Sequence, residues 1–254
     1  MRDRILKVIL PIILGLTLLY IWQQLGERDL INTALFPTPK QIFYSLLDTD
    51  IIFKHIYSSL LRLVISVSIG YVLGFTIAIL ISNFKSMFFL EDISSFFMSI
   101  PGISWAPLFI MTIGFGDKTI VAVGIITAFF PVLYNVLYGL REIDKNLINI
   151  SKIIEYSFLE ELTMVKLPAI MNYLTIALKL SFARTWRTII AVEMIAATMY
   201  GLGYMIFDAR ELFNSSIMFG GIFLSGVIYY LIELLIIKNI ELFTVVKWGM
   251  RQHS

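Results

Sequence analysis

The sequence predicts an all-α membrane protein built as a bundle of about six transmembrane helices. Its 254 residues are 58% hydrophobic and 15% charged, with a mean hydropathy of +0.85. Soluble domains are about 45–50% apolar and about 25% charged. Six apolar stretches are also long enough to cross a bilayer core of about 30 Å, which takes about 20 helical residues. They are residues 5–25, 56–82, 87–113, 119–139, 168–198 and 215–237, so residues 1–254 are treated as one membrane domain.

The first span is expected to be retained as a helix. The residues before it, Met1 to Lys7, resemble the charged start of a signal peptide. The apolar run that follows exceeds the roughly 7–15 residues of a signal peptide and has no small-residue cleavage site after it. Between the first two spans, Pro37 and Pro39 precede apolar residues at helical spacing. This pattern predicts a short helix on the outer membrane surface.

Lysine and arginine are distributed unequally between the two sides of the predicted bundle. With a cytoplasmic N-terminus eleven fall inside and five outside, and the positive-inside rule favours that orientation. Both termini and the connection of residues 141–167 are then cytoplasmic. The inside residues are Arg2, Arg4, Lys7, Lys85, Arg141, Lys145, Lys152, Lys166, Lys238, Lys247 and Arg251, and the outside residues are Arg28, Lys40, Lys54, Lys118 and Arg210.

The second span carries a small residue at every fourth position, a pattern that lets helices approach closely in lipid. We interpret this stripe as a packing face with no transport role. Its members are Ser66, Gly70, Gly74, Ala78 and Ser82.

The third span is predicted to be a broken helix. Two prolines and a glycine interrupt it near the middle of the membrane, where freed backbone groups need protein or a water-filled cavity to satisfy them. Either the kink serves packing alone or the segment lines a path for solute. The solute-path candidates here are Pro101, Gly102, Ser104, Trp105 and Pro107.

The fifth span carries ionisable residues, which are costly in a membrane and therefore informative. Arg184 and Arg187 are three residues apart, and Glu193, six residues further on, is expected on roughly the same side. The arginines either pair with Glu193 or other polar groups, attract an anionic solute into a cavity, or contact lipid headgroups. All three residues are solute-path candidates. Arg62 and Glu233 lie near span ends, where we expect their side chains to reach toward the membrane surface.

The chain shows no motif that would make it an enzyme. It has no cysteine, and neither a metalloprotease nor a serine-hydrolase motif is present. The segment from Gly114 to Thr119 superficially resembles a nucleotide-binding loop, but its spacing is wrong, and we interpret it as a tight turn. We therefore expect the chain to bind no cofactor or metal and to take energy for transport from a partner or an ion gradient.

The cytoplasmic connection of residues 141–167 has an amphipathic pattern. Its apolar residues recur every three or four positions, which predicts one helical face, and a polar break at residues 155–157 would separate two short helices. Such a segment lies on the membrane or docks in a partner's groove, and its acidic residues disfavour an anionic membrane surface. The apolar residues are Leu147, Ile150, Ile154, Phe158, Leu162 and Val165.

From about Phe36 to Trp248 the chain resembles the membrane-spanning permease subunit of bacterial ABC importers, in the group that includes sulfonate, taurine and nitrate permeases. The resemblance rests on short motifs in a characteristic order. They are Pro37-Thr-Pro39, Ser59-Leu-Leu-Arg62, Ile100-Pro101, Trp105-Ala-Pro-Leu108, Gly114-Phe-Gly116, Phe129-Phe-Pro131 with Asn135 and Gly139, Val165-Lys-Leu-Pro168, Glu193-Met-Ile-Ala196 and Gly201-Leu-Gly203-Tyr.

This resemblance implies an ABC importer type I permease fold in the bacterial plasma membrane. The expected partners are a second, identical permease copy, two cytoplasmic ATPase subunits that bind ATP and Mg, and an extracytoplasmic solute-binding protein. The expected cargo is a small anion such as a sulfonate or nitrate, or a molecule like a vitamin precursor. The alternative is a secondary transporter driven by an ion gradient, which would predict an internal repeat and paired broken helices.

In this family the cytoplasmic loop inserts into a groove on the ATPase, and its signature is Glu-Ala-Ala, then glycine, ending in Leu-Pro. Counting back from Leu167-Pro168 puts Asn149 at the glutamate, Ile150 and Ser151 at the alanines and Glu155 at the glycine. A side chain at the glycine position penalises a positive φ by about 1 kcal/mol, which predicts altered geometry or a co-adapted ATPase. The resemblance implies ATPase coupling through Asn149, Ile150, Ser151, Ile154, Glu155, Phe158, Leu162, Leu167 and Pro168.

Overall fold

The computed structural model describes residues 2–82 and 87–241, and over these ranges every regular element is helical. Lys85, Lys247 and Arg251, which entered the count of inside charges, lie outside the described residues. The main helices are α1 (Arg2–Glu27), α2 (Pro39–Ser45), α3 (Thr49–Ile81), α4 (Met87–Ser99), α5 (Ala106–Ile113), α6 (Asp117–Arg141), α7 (Lys145–Ile153), α8 (Phe158–Glu160), α9 (Leu167–Ala169), α10 (Met171–Ala196), α11 (Leu202–Glu211), α12 (Ser215–Ile232) and α13 (Lys238–Glu241).

All six predicted spans are helical, although not all have the composition of a simple membrane helix. Within the described residues four helical stretches are long and apolar enough to cross a membrane, namely residues 9–27, 49–81, 117–141 and 215–240. The bent pair at residues 89–99 and 102–113 makes a fifth if it is one span. The remaining predicted span is α10, which has 26 residues. It is an exception because it carries Lys179, Arg184, Arg187 and Glu193.

The centre of the molecule is formed by α3, α6 and α10, which share two clusters of buried apolar side chains. The small-residue stripe of α3 faces α6, as the sequence predicts. A side-chain carbon added at Gly70 would lie 2.8 Å from the Ile125 carbonyl oxygen, and one at Gly74 would lie 2.8 Å from that of Phe129. These distances are shorter than van der Waals contact, so only glycine permits this approach of the two helices.

The third predicted span is broken, as expected. The stretch at residues 89–99 and the stretch at residues 102–113 meet at an angle of 93°. Pro101 precedes a short 3₁₀ turn, Gly102–Trp105, whereas Pro107 lies in the first turn of α5, where proline costs no hydrogen bond. The break is therefore caused by the Pro101-Gly102 pair, and Pro107 does not contribute to it.

The connections before α3 and between α5 and α6 follow the predicted pattern. Thr38 caps α2 with a capping box completed by Gln41, and Pro39 occupies the first turn. The residues from Gly114 to Gly116 form the tight turn between α5 and α6. Near its C-terminal end α1 is joined to the bundle by Trp22, which contacts Phe219 and Phe223 of α12.

Candidate functional site

The break between α4 and α5 lies beside Arg184 of α10. The Arg184 guanidinium donates a hydrogen bond from Nη2 to the carbonyl oxygen of Met98, in the last turn of α4. A small cleft next to this contact is lined by Gly102, Trp105 and Thr127. The structure thus brings Arg184, one of the two predicted arginines, to the predicted break. The Met98 carbonyl accepts one of its N–H groups but does not neutralise its positive charge.

The other candidates at the break divide into packed and exposed positions. Gly102 is needed for packing, because an added side-chain carbon would lie 2.2 Å from Oγ1 of Thr188. Trp105 is half-buried and packs against the larger apolar cluster. Pro101, Ser104 and Pro107 are exposed on the single chain, so they are available to solute, lipid or a second chain.

Arg187 does not join Arg184 at the break. It is exposed on the single chain, and the intervening Trp186 is buried and donates from Nε1 to the Ser225 carbonyl oxygen at 3.1 Å. This bond ties α10 to α12. The two arginines therefore occupy different surroundings, although they are three residues apart.

Glu193 pairs with neither arginine, so of the alternatives considered for the arginines the ion pair with Glu193 is not formed, whereas Arg184 does bond a polar group on another helix. Six residues advance a helix by about 600°, roughly 120° short of two turns, which turns Glu193 away from Arg187. The carboxylate is fully buried, and Arg62 donates to it from Nη1 at 2.6 Å. Ser59 Oγ and the Gly203 N–H also donate to it, at 2.8 Å and 2.9 Å. Glu193 is thus enclosed by the bundle, away from the break.

Arg62, which was expected to reach toward the membrane surface, is held between two acids, one of them the exposed first residue of α6. Its side chain is 7% exposed, and its Nε and Nη2 donate to Oδ1 of Asp117 at 3.0 Å and 2.5 Å. One guanidinium therefore holds α3 to both α6 and α10. Arg62 lies 13 positions after the start of α3 at Thr49, and its guanidinium reaches the first residue of α6.

The same cluster includes groups that the sequence analysis did not assign. His55 is buried and hydrogen-bonded to the Gly201 backbone, and the Leu202 N–H donates to Ser59 Oγ at 2.9 Å. Gly201 has φ 147°, and an added side-chain carbon would lie 2.6 Å from both Arg62 Nη1 and Glu193 Cδ. These four residues, Ser59, Arg62, Glu193 and Gly201, lie in short motifs already noted in the sequence. Those motifs were the signal from which the buried cluster could have been predicted, because they meet at this point.

The predicted coupling loop, residues 141–167 with coupling through residues 147–165, contains two short helices joined by a tight turn. We call residues 145–168, from the start of α7 to Pro168, the coupling segment. α7 ends at Ile153, and the next helix begins at Phe158. The polar break predicted at residues 155–157 is therefore confirmed. Ser157 caps α8 through a capping box with Glu160: the Glu160 N–H donates to Ser157 Oγ, and the Ser157 N–H donates to Glu160 Oε2 at 2.8 Å.

Glu155 adopts the backbone conformation that favours glycine, with φ 58°. The turn is a Schellman motif: the Glu155 N–H donates to the Lys152 carbonyl at 3.1 Å, and the Tyr156 N–H donates to the Ser151 carbonyl at 3.0 Å. Of the two alternatives, an altered backbone is not found at this turn, and a co-adapted ATPase stays a prediction. The turn keeps a glycine-like conformation, although the side chain of Glu155 makes this positive φ less favourable than it would be for glycine.

The predicted coupling residues separate into an exposed group and an anchored group. Leu162 packs against the second apolar cluster, Ser151 is buried, and Leu167 and Pro168 are half-buried. The exposed apolar side chains are Leu147, Ile150, Ile154 and Phe158, joined by Ile153 and Leu159, which the predicted face omitted; Asn149 and Glu155 are exposed as well. Exposed apolar patches of this kind mark contact surfaces.

Comparison with known proteins assigns the family. Residues 69–240 match the family model described as the inner membrane component of binding-protein-dependent transport systems. The chain belongs to this family. This membership decides against a secondary transporter driven by an ion gradient. It makes the chain a non-catalytic permease subunit of an ABC importer, a multi-pass membrane protein that works with a binding protein and ATPase partners.

Three relatives are similar over most of their length. A protein of Bacillus subtilis (strain 168), named as a permease for aliphatic sulfonates, is 28% identical over 85% of this chain and 80% of its own. The taurine transport system permease protein of Escherichia coli (strain K12) is 24% identical over 85% and 82%. The nitrate import permease protein of Synechocystis sp. (strain ATCC 27184 / PCC 6803 / Kazusa) is 27% identical over 84% and 79%.

Proposed function

We propose that this importer subunit carries a small anion and that Arg184 supplies the positive charge that the anion meets. The observation that carries the proposal is the half-buried guanidinium beside the broken helix, held by a carbonyl group and not by an acid. Arginine binds sulfonate-like, nitrate-like and carboxylate-like groups through planar, charge-assisted hydrogen bonds. The names of the relatives, which refer to sulfonates, taurine and nitrate, support a cargo of this class.

A vitamin-precursor-like cargo would instead need free aromatic surface along the path. The rings at the break are engaged with one another: the centroids of Phe97 and Phe130 are 4.7 Å apart and stacked, and those of Phe97 and Trp105 are 5.9 Å apart. Stacked pairs of this kind contribute to packing. The charge of Arg184 therefore favours the anion over the aromatic cargo.

Uptake by the assembled transporter tests the role of Arg184. The chain would be reconstituted in liposomes with its ATPase and binding protein, and uptake of labelled methanesulfonate, nitrate and bicarbonate measured. We expect Arg184→Gln to lower uptake of the transported anion about tenfold or more, and Arg184→Lys to keep part of it, because lysine keeps the charge but not the planar fork. Lys179→Gln, on the same helix and paired with Glu233 at 3.3 Å, is the matched control. Parent-like uptake by Arg184→Gln would refute the proposal.

We further propose that residues 145–168 dock on a cytoplasmic ATPase that binds ATP and Mg. The support is the exposed apolar patch on two helices whose other side is anchored to the bundle. A rigidly attached helix with free apolar side chains is suited to a hydrophobic groove. The charge bias of the connections supports placing this segment and both termini in the cytoplasm.

The transport cycle follows from this placement. Two copies of the chain, taken to be identical, would enclose the path between them, with the Pro101–Trp105 turn and α10 on its walls. ATP-driven closure of the two ATPases would draw the coupling segments together and rock the spans, which opens the path toward the binding protein.

Substitutions on the exposed patch test this docking. Ile150→Glu and Ile154→Glu place charges on side chains that are about half exposed, so the chain should fold normally while the apolar contact with the ATPase is lost. We expect co-purification with the ATPase and solute-stimulated hydrolysis to fall together. Lys145→Gln, also exposed but on the opposite side of α7, is the control. Full stimulation in both glutamate variants would refute docking through this patch.

A further inference from the structure

An ion pair joins the base of the coupling segment to α4. Arg141 is the last residue of α6, four positions before α7 begins. Its Nη1 donates to both carboxylate oxygens of Glu91 on α4, each at 2.9 Å. The Glu91 side chain is 9% exposed and that of Arg141 is 32% exposed, so the acid is shielded from water while the arginine is open to it on one side, and the two-oxygen contact is a charge-assisted hydrogen bond.

The guanidinium of Arg141 is fixed by more than its acid. It lies over the ring of Tyr138, 4.6 Å from the centroid. The acid next to it in sequence, Glu142, is more distant at 3.5 Å and half-exposed. The Tyr138 face and the Glu91 carboxylate therefore define the position of Arg141 together.

The two ends of the coupling segment are packed together at this place. Tyr173, near the start of α10, has its ring 5.6 Å from that of Tyr138. A side-chain carbon added at Gly139 would lie 2.8 Å from the Tyr173 ring. The end of α6, where the segment begins, is thus packed tightly against the start of α10, where the segment ends. The Glu91–Arg141 ion pair attaches α4 to this packed base.

The far end of α4 reaches the candidate solute path. Met98 accepts the hydrogen bond from Arg184, and Phe97 stacks on Phe130 of α6. The chain then turns through the Pro101–Trp105 break. α4 therefore connects the base of the coupling segment with the part of the molecule proposed to meet the anion.

We propose that the Glu91–Arg141 pair makes α4 move as one body with the coupling segment, so that displacement of the segment by the ATPase reaches the broken helix. The inference rests on the proposed docking of residues 145–168 on an ATPase. Glu91 and Arg141 are positioning residues in this account, since neither touches solute or nucleotide. Coupling between distant sites needs a rigid element that both sites move, and α4 held at both ends is such an element.

The first test measures the number of solute molecules transported per ATP hydrolysed by the reconstituted complex. Glu91→Gln removes the charge with little change of shape. We expect hydrolysis to stay within about twofold of the parent while transport per ATP falls about tenfold, a size typical of coupling between sites. Glu233→Gln, which breaks the half-exposed pair with Lys179 on other helices, should leave the ratio unchanged. If Glu91→Gln does not fold, Arg141→Lys replaces it. Lysine keeps the positive charge but cannot donate two parallel hydrogen bonds as the planar guanidinium does, so we expect a smaller fall in transport per ATP.

The second test restores the link by a covalent bond. The chain contains no cysteine, so Asp92→Cys and Glu142→Cys, both exposed and adjacent to the pair, introduce the only two thiols. A short bifunctional thiol reagent that joins them should leave the parent active, because the two positions move together, and should restore transport per ATP in Glu91→Gln. A merely stabilising pair would not respond in this way.

The outcomes separate this inference from the proposed function. If the parent complex shows no stimulated hydrolysis, the proposed docking fails. If the parent is coupled and Glu91→Gln transports as many molecules per ATP as the parent, or stays uncoupled after cross-linking, the inference about α4 is overturned.

Discussion

Nη1 of Arg62 lies 2.6 Å from Oε1 of Glu193, and the side chains of both residues are buried where α3 meets α10. The same guanidinium binds the exposed Asp117 at the start of α6. Three central helices are thus joined by one cation between two acids. In a low-dielectric interior an acid of this kind is tolerated because every oxygen is hydrogen-bonded.

Removal of Glu193 should therefore destabilise the bundle strongly. Glu193→Ala leaves Arg62, Ser59 and the Gly203 N–H without their shared acceptor, and breaking a buried pair costs about 3–5 kcal/mol. We expect a clearly lower unfolding temperature of the purified protein in detergent. Asp117→Asn is the matched control: Asp117 is 73% exposed, and exposed ion pairs contribute about 0–1 kcal/mol. Equal effects of the two substitutions would contradict the buried pair as the main link.

The glycines of α3 should not tolerate a side chain. Gly70→Val pushes its branched side chain against Ala128 and the Ile125 carbonyl oxygen, and overpacking of this kind costs about 1–3 kcal/mol or more. The yield of folded protein and its unfolding temperature should both fall. Gly226→Val on α12, where nothing lies within 4 Å, is the control. Normal folding of Gly70→Val would mean that α3 and α6 are further apart than described.

Glu155 offers a substitution that should stabilise the coupling segment. Glu155→Gly relieves a side chain held at φ 58°, a gain of about 1 kcal/mol. Glu155→Val should do the opposite, because a β-branched residue is disfavoured further at positive φ. Hydrogen exchange of the amides of residues 150–160 should slow in the glycine variant and accelerate in the valine variant. The reverse order would contradict the left-handed turn.

The cap of α8 should respond to acid. The hydroxyl and then the backbone N–H of Ser157 donate to the Glu160 carboxylate and hold the pKa of Glu160 below its usual range. Because the pKa is lower in the folded state, the cap stabilises the helix start above the pKa of the unfolded chain and is lost as the pH falls through the folded value.

Carbon-13 NMR titration of the Glu160 carboxyl measures this pKa directly. Ser157→Ala removes the hydroxyl and should move the pKa upward. Ser215→Ala, at the first residue of α12, is the control and should leave it unchanged. An identical Glu160 titration in the parent and in Ser157→Ala would contradict the capping box.

Much of the fold follows from composition and local signals. The apolar runs place the helices, the Pro101-Gly102 pair places the break, and the polar residues 155–157 place the turn in the coupling segment. These features depend on residues that are close in sequence, so periodicity and turn chemistry reveal them. The predicted coupling face was incomplete: it omitted Ile153, three positions after Ile150, and Leu159, three positions before Leu162, and both are exposed.

The contacts between charged residues could not be derived in the same way. Arg62 lies 131 positions before Glu193, and Glu91 lies 50 positions before Arg141. Spacing within one helix pointed to Arg187 as the partner of Glu193, whereas packing of α3 on α10 decides the partner. The conformation of Glu155 is likewise fixed by local contacts, because two Schellman hydrogen bonds hold the turn at φ 58°.

The central claim is that residues 145–168 are held by an ATPase in the cytoplasm, and cross-linking from Ile150 tests it most directly. With Ile150→Cys as the only cysteine of this chain, a thiol-attached photoreactive group in the assembled complex should form an adduct with the ATPase subunit. The yield should change between the nucleotide-free and ATP-trapped states. The absence of any ATPase adduct, together with labelling of the same cysteine by a membrane-impermeant thiol reagent added outside intact cells, would contradict the account.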